Sequence, residues 1–328
     1  MPFLISFCNL GSWCSRYSLG FAEDDLTRFS WLNADSFILP DKDQGITGIA
    51  VFEGGVLVCI QAPNPRVAWL DPELRLKQTF TLSEVQDPHS IVVRGHEALI
   101  ACSVRNRLIS LDLKTGAERC VFAARDDDVD IVHLNGVAVR DGHVLVSMFG
   151  EQAMEGKRLG CVIDVETNQI IADAISEPHS PVVAGGDLYV LGSAEGKLYR
   201  YGQAQPAIRS FGGYLRGLSV TPDSIVVGRS GWRAARRRLG GLRKPPAPHK
   251  DPHGNAWQRS AFIRVHRASQ LIETIDASFF GPEIYDIVRL PSAPAAAYLL
   301  GDAAHRRIDA LQEAQARLIN IKAPKAQP

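Results

Sequence analysis

Hydrophobic positions along this chain fall in short, β-branched runs bounded by turn residues, and one such run recurs behind a polar opening. Six segments can be superimposed: GITGIAV (Gly45–Val51), DPHSIVV (Asp87–Val93), HLNGVAV (His133–Val139), EPHSPVV (Glu177–Val183), YLRGLSV (Tyr214–Val220) and EIYDIVR (Glu283–Arg289). Their third positions are Thr47, His89, Asn135, His179, Arg216 and Tyr285. A small or acidic residue follows each one, and then the apolar run of a strand. The strand is kept while the chemistry of one slot changes from repeat to repeat.

The spacing defines the scaffold. Thr47 to His89 is 42 residues, His89 to Asn135 is 46 and Asn135 to His179 is 44, close to the length of a four-stranded propeller blade. A second apolar run follows each motif, as in Val56–Ile60, Ala98–Cys102 and Val144–Met148. A third closes on turns at Asp71, Asp112, Asp164 and Tyr201, and a fourth leads to the next motif. The pattern predicts an all-β, six-bladed β-propeller with four antiparallel strands per blade. Phe3–Cys8, Ser18–Phe21 and Thr27–Leu32 read as a blade lacking its first strand. Glu283–Arg289 would supply it and close the ring, removing an exposed sheet edge. Ala297–Leu300 resembles another second strand, so seven blades is the alternative. Helical spacing in Ala303–Ile321 predicts a short C-terminal helix. The domain reading is a single propeller over 1–302, interrupted by a basic insertion at about 229–259, with a helical tail over 303–328.

Blade connectivity puts all six slots around one mouth of the central channel, because the loop into the first strand and the loop from second to third share a face. Insertions at Phe149–Leu159 and about Arg229–Arg259 are expected to overhang that mouth. The slots point to a metal or polar-substrate site. His89, Asn135 and His179 form a candidate ligand set for a divalent ion, with zinc, manganese or iron suited better than calcium alone. Their other reading is that inner-strand polar groups only satisfy backbone and channel water. Arg216 is a candidate fork for a carboxylate or phosphate. His89, His179, Arg216, Tyr285 and Asp286 are the candidate catalytic residues. Thr47 and His133 join Arg216 as candidate substrate contacts, as do Arg236, Arg237 and Arg238 in the basic insertion.

The strings HLNGVAV, EPHSPVV, YLRGLSV and PEIYDIVRLP resemble the signature stretches of a bacterial propeller family catalogued as a conserved domain of unknown function. That resemblance implies the fold and no reaction. More distantly, Asn135-Gly136 is similar to the Asn-Gly motif of six-bladed propellers of the regucalcin, gluconolactonase and strictosidine-synthase type, where the asparagine ligates metal. Thr47 stands where that pattern would place a glutamate, so the resemblance does not carry a lactonase assignment. The peptidyl-hydroxyglycine amidating lyase shares the architecture by analogy alone.

Composition narrows the class. The 328 residues are 45% hydrophobic and 22% charged with a net charge of zero, so no bulk attraction to nucleic acid or membrane is implied. One basic cluster without an aromatic platform argues against nucleic acid. MPFLISFCNLGSW has no basic leader and reads as a strand, and no apolar run is long enough to span a membrane. Six scattered cysteines suit a reduced, cytoplasmic protein, with Cys59 and Cys102 read as equivalent second-strand positions. Phosphate-loop, dinucleotide and Ser-His-Asp signatures are missing. The expectation is a hydrolase, lyase or isomerase acting on a polar or anionic metabolite, and the alternative is a non-catalytic propeller binding a ligand or partner protein on the same face.

Overall fold

The computed structural model describes residues 1–8, 18–26, 28–32, 34, 36–39, 43–126, 128–154, 157–202, 207–230, 260–277, 283–293 and 299–300. Runs such as Val56–Ile60 are apolar at every position because both faces of a blade are covered. Val56, Val58 and Ile60 pack toward one neighbouring blade, and Leu57 and Cys59 toward the other. Continuous apolar strands are what a sheet buried on both faces demands. Six clusters of buried residues result, one at each junction between successive blades.

Six antiparallel sheets carry these cores, five of four strands and one of five. Blades one to five begin on the inner strands Gly45–Phe52, Pro88–Arg94, Gly136–Arg140, Pro178–Ala184 and Tyr214–Val220. The sixth takes its inner strand, Ile284–Arg289, from one part of the chain and its next three, Phe3–Phe7, Leu19–Ala22 and Phe29–Leu32, from another. Phe3 pairs with Arg289 and Ile5 with Ile287, so the ring closes as the motif spacing predicts.

Three expectations are corrected. The seventh blade is not formed among the described residues: Leu299–Leu300 adds a fifth, outermost strand to blade six, opposite Trp31 and Leu32. The insertion at Phe149–Leu159 is not a loop but a hairpin extension of blade three, with Ala153 paired to Arg158 and Met154 to Lys157. Cys59 and Cys102 are not equivalent, since Cys59 pairs one residue short of the strand level that Cys102 occupies, Ile60 opposing Ile46 and Cys102 opposing Pro88. Their side chains therefore leave opposite faces and meet in the core between blades one and two.

The basic insertion leaves blade five at Ser230 and returns at Ser260, with Ser230 level with Tyr214 on the mouth side. Residues 231–259, which include Arg236, Arg237 and Arg238, lie outside the described residues, as does the expected helix over 303–321. Among the described residues no helix is long and apolar enough to cross a membrane.

Candidate functional site

Each slot residue is aimed inward by a local device. Strand pairing slips at the slot in blades one, two, four and five, between Ile46 and Ile49, Pro88 and Ser90, His179 and Val182, and Arg216 and Leu218. A bulge of this kind re-aims one side chain and leaves a backbone group unpaired. Two residues upstream, Gly45, Asp87, His133 and Glu177 adopt left-handed φ of 135°, 56°, 47° and 50°. Their carbonyls then serve the slot: His89 Nδ1 lies 3.1 Å from Asp87 O, Asn135 Nδ2 donates to His133 O at 2.9 Å, and His179 Nδ1 lies 3.0 Å from Glu177 O. A carbonyl only accepts, which puts the proton on Nδ1; in His179 that nitrogen also meets Ser193 Oγ at 2.8 Å, whose hydroxyl accepts from it in this tautomer. Each Nε2 is left with its lone pair.

The expected residues divide into two groups. His89, Asn135, His179, Arg216, Tyr285 and Asp286 line one central cavity of about 260 Å³. Thr47 does not: fully buried, it donates Oγ1 to Pro88 O at 2.7 Å and ties blade one to blade two. Asn135 is also committed, its Oδ1 accepting from Ser147 Oγ at 2.8 Å. Asp286 holds the ring together through Ile49 N and Ile287 N, both 2.9 Å from its carboxylate, and Ile49 N is a group that the blade-one bulge frees. Burial pushes its carboxyl up to about 6.

The rest converge. The His133 ring sits between His89 and His179, at centroid distances of 4.7 and 6.3 Å, and Asp130 holds its Nδ1 at 2.9 Å. Tyr285 packs 5.6 Å from His89, and the Arg216 guanidinium lies 4.6 Å over the Tyr285 ring. Glu283 Oε1 is 3.5 Å from Arg216 Nη1. Phe149, at the root of the extended hairpin, closes against His133 and His179 at 4.7 and 5.2 Å.

Three buried slots keep polar atoms without a hydrogen-bonding partner: His179 Nε2, Arg216 Nε and Nη1, and Tyr285 Oη. Burial, with the charge of Arg216 and the other histidines, holds His179 well below the usual imidazole range. Burial likewise takes His89 down to about 3, against the pull of Asp87. Tyr285 is driven well above the usual phenol value, chiefly by burial. Near neutrality the mouth thus holds two neutral imidazoles, a protonated phenol and a permanent cation.

Sequence reasoning missed the tier two residues before the slot. Asp87, Glu177, Tyr214 and Glu283 share that register with His133, and every one of the five is polar. Burial alone would raise the Asp87 carboxyl, but His89 and hydrogen bonds from Ser103 and Gln61 hold it below the ordinary range. Glu177 accepts from Tyr214 Oη at 2.9 Å. The recurring polar residue at that position was the available signal.

At the mouth, Asn135 Oδ1 accepts one hydrogen bond from Ser147 Oγ, and the buried Arg216 cation lines the same cavity and opposes a second positive charge there. Among the described residues a candidate metal-ligand triad lies elsewhere: His143, Asp164 and Glu166, whose ligand atoms fall within 4.8 Å of one another. His143 opens the second strand of blade three, beyond the hairpin turn that ends the inner strand, so the triad is on the face remote from Asn135. Asp164 there repeats the turn chemistry of Asp71 and Asp112. Its Oδ1 accepts from Glu166 N and Thr167 N at 3.0 Å, as Asp112 Oδ1 does from Lys114 N and Thr115 N at 2.8 Å.

The architecture has wide company. A chain of a nidogen/laminin complex superimposes with a TM-score of 0.59 at 11% identity, covering 87% of this chain and 97% of that one. A protein of unknown function from Bacteroides caccae superimposes with a TM-score of 0.54 at 10% identity, covering 89% and 99%. At such identities the likeness is one of fold. No curated protein matches the chain in sequence. The profile of the Domain of unknown function (DUF4915) family matches residues 76–299, four blades of the ring and most of the slot motifs, and the chain belongs to that family.

Proposed function

We infer that this propeller is a small-molecule enzyme of the lyase or isomerase type, acting by acid–base chemistry on an anionic metabolite at the channel mouth. The observation that carries the reading is the set of buried, unpartnered polar atoms on His179, Arg216 and Tyr285, all lining one cavity. A buried donor or acceptor left unmade costs about 1–3 kcal/mol, which a fold tolerates where a ligand completes the bond. Arg216 is stacked on Tyr285 with Nη1 3.5 Å from Glu283 Oε1, and its Nε has no hydrogen bond, the group left for a ligand carboxylate. His179 lines the cavity as a neutral base whose buried Nε2 has no hydrogen bond, and Tyr285 is a protonated donor. Groups whose surroundings push their proton affinities apart are the usual makings of an acid–base pair.

The reaction these groups suit is removal of a proton α to a carboxylate. The C–H bond breaks, its proton passes to His179 Nε2, and the electron pair moves toward the carboxylate, whose growing charge Arg216 and Tyr285 oppose. Return of the proton completes an isomerisation, and departure of a β substituent with the electron pair completes an elimination. The cytoplasmic setting rests on the scattered cysteines, none of the described ones being in a disulfide.

The test is loss of α-proton signals in deuterium oxide, followed by nuclear magnetic resonance on mixtures of hydroxy, amino and sugar acids. Wild-type protein is expected to exchange or consume one class, and His179→Gln to lose that activity while remaining folded. Binding without exchange would instead mark the alternative, a propeller that holds a ligand or partner on this face without turning it over.

A further inference from the structure

Below the polar ring the cavity changes character. Apart from Asp286, whose oxygens hold backbone N–H groups, no charged side chain among the described residues lines the lower wall. Its surface comes mainly from aliphatic residues two to four positions past the slots, among them Val92, Val139, Val182, Val183, Leu218 and Val288. Ser180, the polar neighbour of a slot, already accepts from Gly217 N at 3.1 Å. The upper rim offers the opposite chemistry: Arg216, Tyr285 and His179 line it, and each keeps a buried polar atom without a hydrogen bond.

We propose that the lower channel is a tail pocket and that the ligand is a medium-chain aliphatic carboxylate, its head on Arg216 and Tyr285 and its chain between the valines. This rests on the reading of the mouth as an anion site and adds the class of the anion. A small hydrophilic acid would leave the aliphatic wall against water, whereas a chain removes that wall from solvent. Size sets the length: 260 Å³ is the share of about nine water-sized groups. Three go to the carboxylate, leaving room for about six carbons.

Calorimetric titration of the full-length protein with acetate, butanoate, hexanoate, octanoate and dodecanoate tests this, with hexanamide as the uncharged control. Affinity is expected to rise by up to about fourfold per added methylene, to level off near hexanoate to octanoate, and to fall at least tenfold for hexanamide and for hexanoate with Arg216→Gln. Val182→Phe, or Val288→Phe should the first fail to fold, is expected to bring hexanoate down to the affinity of acetate. Arg216-dependent acetate binding with no gain along the series would overturn the tail pocket and leave the anion site standing. Gain along the series that survives Arg216→Gln would show unspecific apolar binding and overturn the proposal. Failure of every carboxylate to bind would overturn both readings.

Discussion

Tyr285 carries a hydroxyl that the fold buries and does not satisfy. Replacing it with phenylalanine keeps the ring under Arg216 and against His89, and removes only the orphaned atom. Tyr285→Phe is therefore expected to raise stability by about 1 kcal/mol, read from urea unfolding, while turnover or ligand binding falls. A stability loss would mean that the hydroxyl already has a partner in the folded protein. His89 supplies a second test, through pH. Its folded value is about 3 against an ordinary 6.5, so between these limits the unfolded chain binds the proton and the native protein does not. Stability must then fall as pH drops from about 6.5 toward 3, by up to about 1.4 kcal/mol per unit for one such histidine. Asp286 works the other way, since its raised value of about 6 makes the native state the better proton holder between 3.8 and 6. His89→Gln is expected to make the decline between pH 6 and 4 shallower by about one proton, and an unchanged slope would show that His89 is charged in the folded state. The slots themselves were legible in the sequence because one polar residue per period interrupts an apolar strand. Their second tier showed only as a recurring polar residue, because the left-handed backbone by which Asp87, His133 and Glu177 turn a carbonyl to the slot leaves no mark on the side-chain pattern.

At the scale of elements, the inner strands approach one another so closely that glycine is required beside the slot. A Cβ on Gly136 would lie 2.3 Å from Ser147 Oγ and 2.4 Å from Pro181 Cδ of the next blade. Neither neighbour can retreat easily, since Ser147 is bonded to Asn135 and the proline ring is rigid. Gly136→Ala is expected to cost about 1–3 kcal/mol by overpacking and to disturb Asn135 and His179 together. Equal stability and unaltered ligand binding in that variant would show that the blades slide freely at the axis. The strands could be read from sequence because second strands carry near-continuous apolar runs such as Val56–Ile60, a consequence of burial on both faces. The hairpin from Phe149 to Leu159 could not, because its extension departs from the four-strand period and is not repeated among the described residues. The cysteine equivalence failed for a related reason: one residue of register decides which face a side chain leaves, and bulges at the slots hide that register.

The whole molecule depends on a strand drawn from one end of the described chain and an inner strand drawn from the other. Phe3–Phe7 is buried at all five positions. Leu4 faces the core shared with blade one, while Phe3, Ile5 and Phe7 face the core shared with blade five. Ser6 bridges the junction, donating Oγ to Thr47 O at 2.5 Å and accepting from Asp286 N at 3.0 Å. The six-blade count followed from motif number, and this closure from a blade that lacked its first strand; of Ala297–Leu300, which suggested a seventh blade, Leu299–Leu300 pair instead with the outer strand of blade six. Losing a buried Leu, Ile or Phe side chain costs about 2–5 kcal/mol. Four lost together approach or exceed the roughly 5–15 kcal/mol that holds a typical domain folded. Deletion of residues 1–8 is therefore expected to unfold all six blades in one step, with loss of the β-type circular dichroism and of protection from hydrogen exchange even at blade three, across the ring. An outer strand makes the control. Ala207–Ser210 is largely exposed, so polar substitutions at Ile208 are expected to change stability by less than about 0.5 kcal/mol. Should the truncated protein keep native protection in blades two to four, the ring is not one cooperative unit, and closure through Phe3–Phe7 would serve the mouth alone.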